Sequence, residues 1–254
     1  MTAAAPKPLL RLARVSKSFG GITALSNVSL AIRPGRMVGV IGPNGAGKTT
    51  LFNIVTGALR ANSGEITFAG EPITSWPTHR IVRAGIARTF QNIRVFAGMT
   101  VWEHLLVAQP HRGTGIRRFL PARWADPAAW ARAEDALVFF GLKDYRARIA
   151  RTLPYGVQRK VEMARAVTAG PRLLLLDEPV AGMNHDEADE LAALLKDLQR
   201  RGLTILLIEH DMAFVMKLCD DLYVLDFGAL IAAGAPAEIR SDPKVIDAYL
   251  GSEA

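Results

Sequence analysis

Three short stretches carry residue types at spacings that could do chemistry. The first is Gly42-Pro43-Asn44-Gly45-Ala46-Gly47-Lys48-Thr49, followed by Thr50, which fits G-x-x-x-x-G-K-[ST]. Its glycines let backbone N–H groups turn inward as a nest for anionic oxygens, and the helix expected behind it adds partial positive charge. Lys48 is then placed to reach the β- and γ-phosphates of a nucleotide, and Thr49 to put its hydroxyl on Mg²⁺. The pattern fixes a phosphate cradle but not a reaction.

The second stretch, Leu173-Leu-Leu-Leu-Asp177-Glu178, supplies what hydrolysis needs. Four aliphatics hold a strand end rigidly, so Asp177 can organise the magnesium through its water shell and Glu178 can polarise an attacking water. The third is Glu209-His210-Asp211, directly after the apolar run Leu203 to Ile208. A side chain at the carboxyl end of a parallel strand faces the ligand crevice. His210 is therefore expected to hydrogen-bond the γ-phosphate and the water. His79, His104 and His111 have no such setting and are read as structural.

The elements that must position these groups follow from periodicity. Leu10 to Val15 and Val28 to Ile32 alternate as half-buried strands do. Met37 to Ile41, Leu173 to Leu176 and Leu203 to Ile208 are short continuous apolar runs, the pattern of buried parallel strands. Between the last two, Asp186 to Arg201 has leucines at helical spacing, four acids in its first turns, two closing arginines and then Gly202. Strand, helix, strand implies a right-handed crossover and a parallel sheet. From about Thr100 to Thr168 the signals are nearly all helical, and Ala235 to Leu250 reads as two short closing helices. One domain over 1–254 is expected, with an α/β core at 1–91 and 169–254 and a helical insertion at 92–168.

Composition narrows the class. With 254 residues and 50% hydrophobic content the chain can bury a sizeable core. Cys219 alone excludes an internal disulfide or a cysteine metal cluster, and reads as a small apolar residue in a packed helix. No run approaches a membrane span and no apolar block opens the chain, so a cytosolic protein is expected. A net charge of +7 points to an anionic partner without choosing one.

Together these motifs resemble the ATP-binding cassette family over nearly all of the chain. Phe19, in Val15-Ser-Lys-Ser-Phe-Gly-Gly, resembles the family's adenine-stacking aromatic. Gln91, in Ala87-Arg-Thr-Phe-Gln, resembles the glutamine that touches Mg²⁺ and begins the helical subdomain. Leu153-Pro-Tyr-Gly-Val-Gln-Arg-Lys-Val-Glu resembles the signature motif, with Tyr155, Gly156, Val157 and Gln158 facing ATP bound to a partner subunit. Ala181-Gly-Met-Asn184 resembles the loop after the catalytic glutamate. The resemblance implies a P-loop, RecA-like core with an N-terminal antiparallel β-subdomain, ATP and Mg²⁺ as ligands, and Lys48, Glu178 and His210 as catalytic groups. Thr49, Gln91 and Asp177 become the magnesium set.

Three further stretches narrow the likeness to the ATPases of bacterial branched-chain amino acid importers, and within them to the LivG-type subunit. They are Ile86-Ala-Arg-Thr-Phe-Gln-Asn-Ile-Arg-Val-Phe-Ala-Gly-Met-Thr-Val101, Ile208-Glu-His-Asp-Met212 and Val245-Ile-Asp-Ala-Tyr-Leu-Gly251. This implies a second ATPase subunit, two permeases, a periplasmic binding protein and a station on the cytoplasmic side of the inner membrane.

The signature departs from the usual Leu-Ser-Gly-Gly-Gln. Pro154 replaces its serine, Tyr155 its first glycine and Val157 its glutamine, and Asn184 stands at an aspartate position. Proline offers neither hydroxyl nor N–H. An asymmetric heterodimer is therefore expected, with this chain's ATP clamped by a better signature. Importers of urea, amides or aromatic acids and lipopolysaccharide exporters share much of the layout, though exporters usually keep the serine-glycine signature. A nucleic-acid-processing ATPase is disfavoured: no coiled coil or reader domain is present, and no aromatics interleave Arg112, Arg117, Arg118 and Arg123. That basic run reads as a solvated face of the insertion, or as a surface for acidic lipid headgroups or a permease loop.

Overall fold

The computed structural model describes residues 7–91, 93–109 and 127–250. The basic stretch 112–123 and His111 lie outside them. Two sheets organise the described chain. The first is antiparallel, built from β1 (Leu10–Phe19), β2 (Ile22–Ile32), β4 (Ser63–Phe68) and β5 (Glu71–Pro72) in the order β2-β1-β4-β5. The hairpin β1–β2 is longer than the alternation suggests. The register slips between Leu12 and Val15, where Arg14 takes a φ of 50°, and this bulge breaks the apolar-polar pattern that a sequence reading follows.

The second sheet has six strands in the order β10-β9-β3-β8-β7-β6. Its members are β3 (Met37–Ile41), β6 (Ile86–Arg88), β7 (Leu173–Asp177), β8 (Thr204–Ile208), β9 (Asp221–Asp226) and β10 (Ala229–Gly234). All pairings are parallel except β9 with β10. Every residue of β3, β7 and β8 is buried, as expected of strands covered on both faces. Leu203, expected in β8, instead donates its N–H to the Leu198 carbonyl and closes the preceding helix. Asp177 is the last residue of β7 and Glu178 the first beyond it.

The register fixes where the chemistry lies. Val40 pairs with Ile208, and Ile208 with Asp177, so β3, β8 and β7 end level with one another. The three motif stretches leave the sheet side by side at its carboxyl edge, where α/β sheets bind ligands.

Helices complete the core. α1 (Lys48–Val55) follows β3, and α2 (Thr78–Ala84) leads into β6. α3 (Val101–Val107), α4 (Pro127–Phe139) and α5 (Tyr155–Thr168) make up the helical middle, with short 3-10 turns at Lys143–Tyr145 and Ala150–Thr152. α6 (His185–Arg200) connects β7 to β8 and starts one residue before the sequence reading, because Asn184 and Glu187 form a reciprocal capping box. It buries Leu191, Leu195 and Leu198 against the sheet, each worth about 1.5–3 kcal/mol. α7 (Met212–Leu218), α8 (Pro236–Arg240) and α9 (Pro243–Leu250) follow. Among the described residues no helix is long and apolar enough to cross a membrane.

Two residues sit differently from expectation. Cys219 lies just past α7 rather than within a helix, and burial pushes its thiol up to about 12, so it is inert. His79 is exposed on α2 rather than structural. His104, by contrast, is fully buried: its Nε2 accepts from the Phe96 N–H at 2.8 Å while Nδ1 bonds the Thr100 carbonyl at 2.8 Å.

Candidate nucleotide site

The phosphate loop leaves β3 at Gly42, whose φ is 144°, and a Cβ there would collide with the Leu225 carbonyl. Gly47 opens α1 with a φ of 99°, and a Cβ there would collide with the Ala24 carbonyl of β2. Glycine is required twice over at both positions, by backbone conformation and by close approach. Asn44, Gly45 and Thr49 are exposed, Pro43, Gly47 and Thr50 half-buried, Ala46 buried. The first N–H groups of α1 are left without intrahelical acceptors and form an anion site together with the loop.

Lys48 is buried at the first position of α1. Its Nζ donates to the Gly42 carbonyl at 2.6 Å and the Pro43 carbonyl at 2.8 Å, which folds the ammonium over the loop. Burial pushes its pKa down, while the charges of Glu178 and Asp177 pull it back up.

Glu178 lies on the turn off β7 with a φ of 48°, a conformation that costs about 1–3 kcal/mol for a residue with a side chain. Its N–H donates to the Ile208 carbonyl at 2.9 Å, which ties the ends of β7 and β8 together. Its carboxylate accepts from Gln91 Nε2 at 2.7 Å on Oε2 and meets His210 Nε2 at 2.6 Å on Oε1. Gln91 and His210, singled out from distant parts of the sequence, thus converge on the carboxylate of Glu178. The Gln91 NH₂ is committed to Glu178, so only its Oε1 could serve a cation.

Asp177 is buried, and its Oδ2 accepts from Arg88 Nη2 at 2.6 Å. Arg88 Nη1 donates to Asn53 Oδ1 at 2.6 Å, so one guanidinium joins β6, α1 and β7. Among the described residues no three His, Cys, Asp or Glu side chains gather as an all-protein cation cage. One exposed hydroxyl (Thr49), one amide (Gln91) and one acid (Asp177) suit a hard cation that takes its remaining ligands from phosphate oxygens and water.

Sequence reasoning misses Arg88 and Glu209. Glu209 is buried and accepts from the Val180 N–H at 2.9 Å and the His210 N–H at 3.0 Å, joining the loop after β8 to the loop after β7. Burial pushes its carboxyl pKa up, and the backbone N–H groups of Val180, His210 and Asp211 oppose that shift. A buried acid beside a candidate histidine gives no periodic signal; only the fold brings Val180 to it.

The remaining candidates lie around this centre. Phe19 ends β1 half-exposed, its ring 4.9 Å from Lys17 Nζ. Pro154 is the N-cap of α5, so Tyr155, Gly156 and Val157 are its first helical residues, whose N–H groups lack intrahelical acceptors. Tyr155 is half-exposed, and its hydroxyl donates to the Ala181 carbonyl at 3.1 Å. Gln158 turns its amide back on its own chain, donating to Leu153 O at 2.7 Å and Arg151 O at 3.2 Å. Asn184 Oδ1 is held by the Glu187 N–H at 2.9 Å.

A glycine-bounded loop opening α1, a buried lysine folded over it and a hydrogen-bonded Gln-Glu-His cluster at one sheet edge make an arrangement suited to the phosphates of a nucleotide. The profile of the ABC transporter family matches residues 25–181, and that of the branched-chain amino acid ATP-binding cassette transporter matches residues 229–254. The chain is 43% identical to the high-affinity branched-chain amino acid transport ATP-binding protein BraF of Pseudomonas aeruginosa, over 96% of this chain and 98% of that protein. It is 44% identical to the LivG protein of the same description from Salmonella typhimurium, with the same coverage. A crystal structure of a nucleotide-free ATP-binding cassette from an ABC transporter superposes with a TM-score of 0.85 at 32% identity, covering 95% of this chain and 98% of the other. The chain belongs to the ABC transporter family and is of its ATP-hydrolysing, transport-powering class.

Proposed function

We propose that this chain is the ATP-hydrolysing subunit of a branched-chain amino acid importer, working as one half of an asymmetric ATPase pair. The observation that carries the hydrolytic role is the Gln91–Glu178–His210 cluster beside the phosphate loop. The names of the relatives and the match over residues 229–254 support the cargo. In this reading residues 92–168 are a helical subdomain inserted between 1–91 and 169–254. The chain sits on the cytoplasmic face of the inner membrane beneath two permeases, which a periplasmic binding protein serves.

The chain's own groups divide the work. The N–H groups from Gly42 to Thr50 and the Lys48 ammonium hold the phosphates of ATP, and Phe19 stacks on the adenine. Thr49, Gln91 and Asp177 would hold magnesium, which would supply positive charge against the phosphate oxygens. Glu178 accepts a proton from the attacking water as its oxygen bonds to the γ-phosphorus and the bond to the ADP oxygen breaks. His210 orients Glu178 by donating from Nε2 to its carboxylate, and a bond from that N–H to the γ-phosphate would take the place of this contact. Gln91 holds the other carboxylate oxygen.

The asymmetry rests on what the chain lends outward. Pro154 has no N–H or hydroxyl, the Gln158 amide is turned inward and Asn184 is committed to a helix cap. A partner with a serine-glycine signature completes this chain's site. Hydrolysis by the purified chain is therefore expected to be weak beside that of the membrane complex isolated through a tag on it. Strong, cooperative hydrolysis by the chain alone overturns the asymmetric pair.

A further inference from the structure

The segment that carries Gln91 leaves the sheet at Thr89, whose N–H still pairs with the Leu175 carbonyl. The next two residues lie outside any strand or helix. Their carbonyls are met by one side chain. Arg159, in the second turn of α5 and with no exposed surface, donates from Nη1 to Phe90 O at 2.8 Å and from Nη2 to Gln91 O at 2.9 Å. The same guanidinium pairs with the buried Glu162 at 3.0 Å and donates to the Tyr155 hydroxyl at 3.4 Å. Glu162 in turn accepts from the Arg94 N–H at 3.3 Å, on the far side of Gln91.

Helix formation does not need this arrangement, and a buried ion pair is poor evidence of a stabilising role. What the guanidinium does is geometric. Its planar fork fixes two consecutive carbonyls relative to the start of α5, and thereby the origin of the Gln91 side chain that ends on Glu178. Through Tyr155, whose hydroxyl passes on to the Ala181 carbonyl, the same group is joined to the loop after β7.

We propose that Arg159 is a positioning residue for hydrolysis, locking the Gln91 backbone to the signature helix so that the Gln91 amide meets Glu178. This rests on the roles proposed above for Gln91 and Glu178. Arg159 has no exposed surface and acts through the Phe90 and Gln91 carbonyls, so its loss is expected to lower kcat with little change in KM.

The test uses the membrane complex isolated through a tag on this chain, with MgATP as substrate. Arg159→Met combined with Glu162→Gln removes the fork and the buried carboxylate together, keeps an acceptor for the Arg94 N–H, and leaves Arg165, 3.9 Å from Glu162, its bond to the Arg94 carbonyl. The expected result is a kcat lowered about 10- to 100-fold, as for displacement of a catalytic group by about an ångström, with KM within about twofold. In a Gln91→Ala background the same change is expected to add almost nothing, because what it positions is gone. Arg159→Lys, which keeps the charge but not the fork, guards against misfolding of the pair variant and is expected to lose about 3- to 10-fold in kcat. A wild-type kcat in a folded Arg159 variant, or losses that multiply with Gln91→Ala, overturns the positioning role while leaving the roles of Gln91 and Glu178 standing. A Gln91→Ala variant with wild-type turnover overturns those roles, and the inference with them.

Discussion

Replacing Glu178 by Gln separates the chemistry from the binding, because the two rest on different atoms. The side chain keeps its shape but loses its charge. In the native chain one carboxylate oxygen accepts from Gln91 at 2.7 Å and the other faces His210 at 2.6 Å. A glutamine can offer only one acceptor oxygen. If that oxygen keeps the bond from Gln91, its NH₂ faces His210 Nε2, which can accept it in the other ring tautomer. The cluster then stays connected and forfeits at most one charge-assisted hydrogen bond, worth about 1.5–3 kcal/mol. The proton acceptor for water is removed outright, and positioned bases contribute about 10²- to 10⁴-fold. At about 1.36 kcal/mol per factor of ten, the barrier rises by about 3–5 kcal/mol. Lys48 and the phosphate loop are untouched, so nucleotide affinity is expected to stay within about threefold by the RT scale of such small differences. Single-turnover hydrolysis of MgATP in the isolated complex gives the first quantity, and titration with a fluorescent nucleotide gives the second. A turnover loss below about tenfold, outside the range of positioned bases, refutes the role of Glu178. So does an affinity that falls in step with turnover.

Arg88→Met is expected to destabilise the chain by about 3–5 kcal/mol in urea unfolding, because it leaves the buried Asp177 carboxylate without its partner at 2.6 Å. Arg88→Met with Asp177→Asn is expected to recover part of that stability. Stability is also expected to fall as the medium is acidified through the range just below the ordinary histidine pKa. Burial holds the His104 pKa below 6.5, so the unfolded chain binds a proton there that the folded chain refuses. The slope is at most about 1.4 kcal/mol per pH unit until the folded pKa is reached. Thermal unfolding between neutral and mildly acidic pH measures it, and the slope is expected to vanish in His104→Gln.

Much of the fold is legible in the sequence because its core strands are short, almost wholly apolar and bounded by motifs. Met37–Ile41 can be read to the residue. The hairpin β1–β2 reads short because the bulge at Arg14 shifts the alternation by which half-buried strands are recognised. The capping box at Asn184 escapes a sequence reading because the same residue closes a loop motif. In the site, Lys48, Glu178, Gln91 and His210 each carry a motif, and the level ends of β3, β7 and β8 explain how residues so far apart come together. Arg88, Arg159 and Glu209 are different in kind. Arg159 and Glu209 are buried and Arg88 nearly so, each with at least one decisive partner far along the chain, and nothing in local spacing marks such a residue. For Arg159 the one trace is Glu162 at the i,i+3 position on a helix, a pairing common on solvated faces as well.

Uptake of labelled leucine, isoleucine and valine by cells that make this chain, lack it, or make only Glu178→Gln tests the proposed function most directly. Uptake is expected to require the native chain and to be lost to the same extent in the other two. Undiminished uptake without the chain, or with Glu178→Gln in its place, contradicts its role as the hydrolysing subunit of such an importer.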